Sequence, residues 1–156
     1  YGSRIVQRVI EYSQGQARDL AEPLLAAARD LARHAYGNYV MQHLLQYGSD
    51  EQRRRLIQEI IVDFPELSTD TYGCAVAGAS ICFADRCDKE RLVGRLLAQR
   101  GLLTGMANTR HGQVAVKRIL GGIDGALLAA ARSVLLANRA ALSVSRHGRS
   151  LLASLD

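Results

Sequence analysis

Two short segments of the chain set side chains with amide, guanidinium and aromatic groups at the same spacing. In NYVMQHLLQY these are Asn38, Tyr39 and Gln42, and in SRIVQRVIEY they are Ser3, Arg4 and Gln7. At about 100° per residue, Asn38, Gln42 and Tyr39 fall within one arc of roughly 100°, while Val40, Leu44, Met41 and Leu45 fill the opposite one. Ser3, Arg4 and Gln7 stand in the same way against Ile5, Val6, Val9 and Ile10. The wheel leaves each polar triplet exposed. Amides supply donors and acceptors together, and a flat ring or guanidinium supplies a stacking plane. This is the chemistry of recognising a planar group with a polar edge, not of breaking bonds.

Catalytic and metal patterns are lacking. There is no Ser/His/Asp spacing, no phosphate-cradling glycine loop and no paired carboxylate beside a nucleophile. His34, His43, His111 and His147 form no ligand-spaced motif, so the sequence predicts neither an enzyme nor a metal or cofactor. Cys74, Cys82 and Cys87 are odd in number with no CxxC pair, and read as reduced thiols.

The elements that hold these triplets recur. An aromatic or His followed by Gly appears as Tyr1-Gly2, Tyr36-Gly37, Tyr72-Gly73, His111-Gly112 and His147-Gly148, at spacings of 35, 36, 39 and 36 residues. A short apolar helix follows each pair. Ser49-Asp50-Glu51 before RRRLIQEII, and Asp85 to Glu90 before RLVGRLLAQ, read as N-caps with acidic first turns of a second helix. A third, shorter helix precedes each pair: AAARDLARH, PELSTD, LLTGMAN and RAALSV. No alternating strand pattern occurs. Three helices per repeat of about 36 residues predict an all-α, curved, right-handed solenoid in which each unit buries its apolar face on the next. The repeats divide the chain into 1–24 (partial), 25–61, 62–99, 100–138 and a cap at 139–156.

Composition agrees. Hydrophobic residues make up 48% and aromatics 5%, with Leu and Ala dominant and only two prolines, which favours helix over strand. No apolar run reaches the roughly 18 residues of a membrane span. A net charge of +5, from 20 basic residues of which 18 are Arg, suits a polyanionic partner. Arg53, Arg54 and Arg55, on the helix after the triplet helix, read as a solvated face. The chain opens inside what reads as a helix, so a longer polypeptide is expected. A cut repeat is expected to expose apolar surface and leave the isolated chain marginal or self-associating at that end.

The segments YGSRIVQRVIEY and YGNYVMQHLLQYGS resemble the RNA-reading helices of the Pumilio (PUF) family, and the resemblance spans the chain. The resemblance implies the C-terminal half of such a domain, with Tyr1 inside the fifth of eight repeats and RHGRSLLASLD as the cap. It implies single-stranded RNA binding on the concave face, one base per repeat, read antiparallel to the chain. Asn38 and Gln42 with Tyr39 match the uracil set, and Ser3 and Gln7 with Arg4 the adenine set, giving 5′-UA-3′. Where the family reads guanine with Ser, Asn and Glu, this chain has Cys74, Ala75 and Gly78, read as inert surface. Gln113, Val114 and Lys117 replace Asn, Tyr and Gln, with Lys117 suited to phosphate. The implied partner is an mRNA 3′ untranslated region, in control of stability or translation in the cytoplasm, with proteins on the convex face and neither DNA nor membrane. The alternative is a degenerate scaffold that binds structured RNA or protein in ribonucleoprotein or ribosome assembly, in the nucleolus.

Overall fold

The computed structural model describes residues 18–156, in which every regular element is helical. Twelve helices follow one another: α1 (Arg18–Ala26), α2 (Ala28–Ala32), α3 (Gly37–Tyr47), α4 (Asp50–Ile61), α5 (Phe64–Thr69), α6 (Gly73–Phe83), α7 (Arg86–Ala98), α8 (Leu102–Ala107), α9 (Arg110–Gly122), α10 (Gly125–Ala137), α11 (Arg139–Leu142) and α12 (Arg146–Leu155).

They stack in three rows. The helices that follow each Tyr/His-Gly pair (α3, α6, α9 and α12) pack on one another in sequence as the first row. The short helices α5, α8 and α11 form the second row, each on the next, with α2 against α3. The third holds α1 with α4 and α7 with α10. A continuous core runs the length of the described chain, from Leu25 through Phe64 and Ile81 to Leu155.

Local sequence explains the boundaries. Ser49 caps α4 through a reciprocal box: Gln52 N donates to Ser49 Oγ at 3.2 Å, and Ser49 N donates to Gln52 Oε1 at 2.9 Å. Leu56, Ile57, Ile60 and Ile61 make its buried stripe. Asp85 opens α7 by accepting from Asp88 N at 2.8 Å, and Leu92, Val93 and Leu96 bury its inner side. Thr109 and Ser145 cap α9 and α12 in the same manner.

The glycine of the recurring pair has a steric cause. A Cβ on Gly112 would lie 2.2 Å from the Met106 carbonyl oxygen, and one on Gly148 would lie 2.1 Å from that of Leu142. Each first-row helix therefore starts directly against the end of the short helix before it, and only glycine permits that approach.

Repeats are also joined through carbonyls at helix ends. Arg95 Nη1 donates to the Ile61 carbonyl at 2.7 Å, and Lys89 Nζ to that of Gly122 at 2.8 Å. Arg132 Nη2 donates to the Leu155 carbonyl at 2.7 Å. Cations at these positions satisfy the acceptors that the last turn of a helix leaves unpaired. Arg53 does the same for α3, with its Nε 2.6 Å from the Leu45 carbonyl oxygen. It is not part of a solvated face, as the charge run implied. Of its neighbours, Arg55 pairs with Glu22 and Arg54 is exposed.

Candidate nucleic-acid interface

On α3 the structure separates the triplet. Tyr39 is 53% exposed and Gln42 half-buried, but Asn38 is only 3% exposed. The exposure read from the wheel is thus corrected for Asn38. Its Nδ2 donates to the carbonyls of His34 and Ala35, both at 2.9 Å, so the side chain folds back onto the turn that precedes the helix. Its Oδ1 accepts from Gln42 Nε2 at 3.0 Å. Gln42 Oε1 in turn accepts from Arg118 Nη1 at 2.9 Å, a partner 76 residues away on α9. The amide pair is therefore oriented by a chain of bonds from the start of α3 to a guanidinium two repeats on. Angular position cannot foresee that, because it ignores where the preceding carbonyls lie.

The start of α3 has its own device. His34 Nδ1 accepts from the backbone N–H of Tyr36 and Gly37, at 3.2 and 3.1 Å. Asp70 does the equivalent for α6, accepting from Tyr72 and Gly73 at 3.0 and 2.7 Å.

Helix α6 is different in kind. Cys74 and Gly78 are buried and Ala75 half-buried, so the inert surface expected here is for the most part a packed seam. Cys74 Sγ donates to the Thr71 carbonyl at 3.4 Å, and burial pushes its thiol pKa up. A Cβ on Gly78 would sit 3.4 Å from the Ala115 carbonyl oxygen, and one on Gly122 would sit 2.7 Å from Cys82 Sγ. Small residues on both sides let α6 and α9 approach closely. Cys82 Sγ donates to the Arg118 carbonyl at 3.3 Å. Burial raises this thiol too, against the pull of the Arg118 and Lys89 charges.

On α9, Val114 is 62% exposed, Gln113 is half-buried with an unpartnered Oε1, and Lys117 is exposed with its Nζ 3.2 Å from Ser150 Oγ. His111 stands in the first turn, its ring 6.5 Å from that of Tyr72. Ser3, Arg4 and Gln7 lie outside the described residues. Sequence reasoning missed Arg118, whose guanidinium lies 5.7 Å from the centre of the Phe83 ring. The available signal was the run of small residues in CAVAGASIC, which lets the next helix pack closely on α6.

A stack of three-helix units with an exposed tyrosine, valine and lysine along its first row defines a helical repeat protein. The model of the Pumilio-family RNA binding repeat matches residues 1–20, 28–61 and 63–74. Over 103 residues, 65% of this chain and 15% of the relative, the chain is 29% identical to a Pumilio domain-containing protein of Schizosaccharomyces pombe. It is 33% identical to Pumilio homolog 1 of Xenopus laevis over 84 residues, 53% of this chain and 7% of that protein. Among solved structures, PUF-8 in complex with PBE-RNA superposes with a TM-score of 0.84 at 24% identity, over 99% of this chain and 46% of that one. The Puf3 RNA binding domain bound to a Cox17 RNA 3′ UTR site superposes with a TM-score of 0.81 at 23% identity, over 97% and 43%. Over the residues matched, the chain is similar to the Pumilio repeat family, and it shares the fold of these solved domains. It spans less than half the length of these solved chains and a smaller share of the curated relatives.

Proposed function

We propose that the chain binds single-stranded RNA along the open face of its first row and acts by recognition, without catalysis, in post-transcriptional control of mRNA. The observation that supports this best is Tyr39, an aromatic ring left half exposed one turn from the half-buried Gln42 amide. An exposed tyrosine costs apolar hydration without a partner, and a stacked base is a partner that every RNA offers.

In this reading each repeat takes one base. Tyr39 stacks, Gln42 faces a uracil edge from its seat on the inward-turned Asn38, and Ser3, Arg4 and Gln7 take the adenine that follows, giving 5′-UA-3′. Engagement of uracil exchanges the Gln42 bonds to Asn38 and Arg118 for bonds to the base. Lys117, exposed at the far end of the face, attracts phosphate, and Gln113 lies beside it. An mRNA 3′ untranslated region met in the cytoplasm is the natural ligand. Helix α6, with eight of its residues buried, favours a second reading: a scaffold that holds structured RNA or protein in a ribonucleoprotein.

Filter binding to a short UGUA-containing RNA and to a scrambled one tests the choice. Selective binding is expected. Tyr39→Ala should weaken every RNA by about 1–3 kcal/mol without moving the unfolding midpoint. Equal affinities for the two RNAs would remove sequence-selective reading and leave the scaffold.

A further inference from the structure

We infer that the end of the array formed by α9 and α12 holds an RNA strand by its phosphates and adds affinity without base preference. The inference rests on the RNA reading above, in which the strand runs antiparallel to the chain and its 5′ flank reaches this end.

The charge of the chain is segregated. Residues 100–156 carry eight Lys or Arg against two carboxylates, a net charge of +6, while residues 1–99 carry twelve against thirteen, a net charge of −1. Neither carboxylate neutralises the α9–α12 end. Asp156 is taken by Arg139 at 2.7 Å, and Asp124 lies past the last turn of α9, at the opposite end from Arg110. Among the described residues, Arg110, Lys117, Arg146 and Arg149 are exposed and form no ion pair with a carboxylate.

These cations share one surface. Helices α9 and α12 are neighbours in the first row, and Lys117 Nζ on one stands 3.2 Å from Ser150 Oγ on the other. Their starts are tied by Ser145 Oγ, which donates to Asn108 Oδ1 at 2.7 Å, so Arg110 and Arg146 open adjacent helices. Ser150 follows Arg149 directly and lies one helical turn from Arg146. Counted from the glycine of each recurring pair, Arg149 and Ser150 hold the positions of Asn38 and Tyr39. The row therefore runs on to α12, but amide and ring give way to cation and hydroxyl. Helices α4 and α7 have acids in their first turns; α9 and α12 have none and open on arginine, a sign that the helix dipole disfavours. Cations left without carboxylates draw phosphate whatever the base. Because this surface continues the row that carries Tyr39, it favours RNA over an acidic protein segment.

The test uses the full chain and three RNAs: a UGUA-containing core, the core with four nucleotides added on its 5′ side, and the core with four added on its 3′ side. The 5′ extension should tighten binding about tenfold at low salt and steepen the log–log salt slope by about two, as three phosphate contacts at roughly 0.7 each would. Exchanging the added bases should change neither value, and the 3′ extension should add neither. The pair Arg146→Gln and Arg149→Gln should abolish the gain, while Arg146→Lys with Arg149→Lys, which keeps the charge, should retain it. Equal gains from the two extensions, a gain that depends on the added bases, or a gain kept by the folded Gln pair would each overturn the inference alone. So would the absence of any gain, and a glutamate-rich peptide bound by the unaltered chain but not by the Gln pair would then assign the surface to a protein. Failure of the core itself to bind would instead bring down the RNA function.

Discussion

Helices α3 and α6 hold equivalent places in successive repeats, begin on the same Tyr-Gly pair and run for 11 residues each, but they turn opposite materials toward the open face. Helix α3 shows a tyrosine ring beside an amide network; at the same three positions α6 leaves only Ala75 part-exposed and buries Cys74 and Gly78. The frame is common because it depends on the glycine, the short helix before it and the polar group that caps the turn, His34 in one case and Asp70 in the other. The open face is independent of that frame, so one repeat can keep a reading surface while its neighbour converts to packing. Conversion has a return: small residues bring α9 close, with Ala115 against Gly78 and Gly122 against Cys82.

The largest effect is expected where the α6–α9 seam is tightest. Gly122→Val should destabilise the chain by about 1–3 kcal/mol, because its Cβ would meet Cys82 Sγ at 2.7 Å and backbone at 3.2 Å. A lowered denaturant midpoint checks this, and an unchanged one would show that the seam is loose. Next, Asn38→Ala should cost about 1–2 kcal/mol of stability through its lost bonds to the His34 and Ala35 carbonyls. On α6 the equivalent Cys74→Ala should cost less, since a thiol is a weak donor. Equal losses at the two positions would erase the contrast between the helices. The smallest effect is of opposite sign. Gly121 has nothing within 4 Å of a built Cβ, so Gly121→Ala should stabilise α9 by about 0.5 kcal/mol. Thermal melting of Gly121→Ala beside Gly122→Val would show the seam residue by residue.

Much of the architecture was legible from spacing. The recurring Tyr/His-Gly pair fixed the repeat, and Ser49 and Asp85 marked the starts of α4 and α7 where they occur. These are local signals, written within a few residues of the helix they start. The site was legible only in part. Tyr39 is exposed as the wheel requires, but Asn38 is turned inward by carbonyls that belong to the preceding turn. Arg53 and Arg118 were hidden for a related reason: each acts on a different helix, and no periodicity along its own segment reports the partner. Spacing reveals what a helix turns outward, not what reaches over from the next one.

The bond from Gln42 to Arg118 has a mechanical meaning. Stacked repeats usually feel only their immediate neighbours. A link between units two apart spans two hinges at once, so it lengthens or shortens with the sum of both bends. Placed on the open face, it works as a strut that sets the curvature of the array.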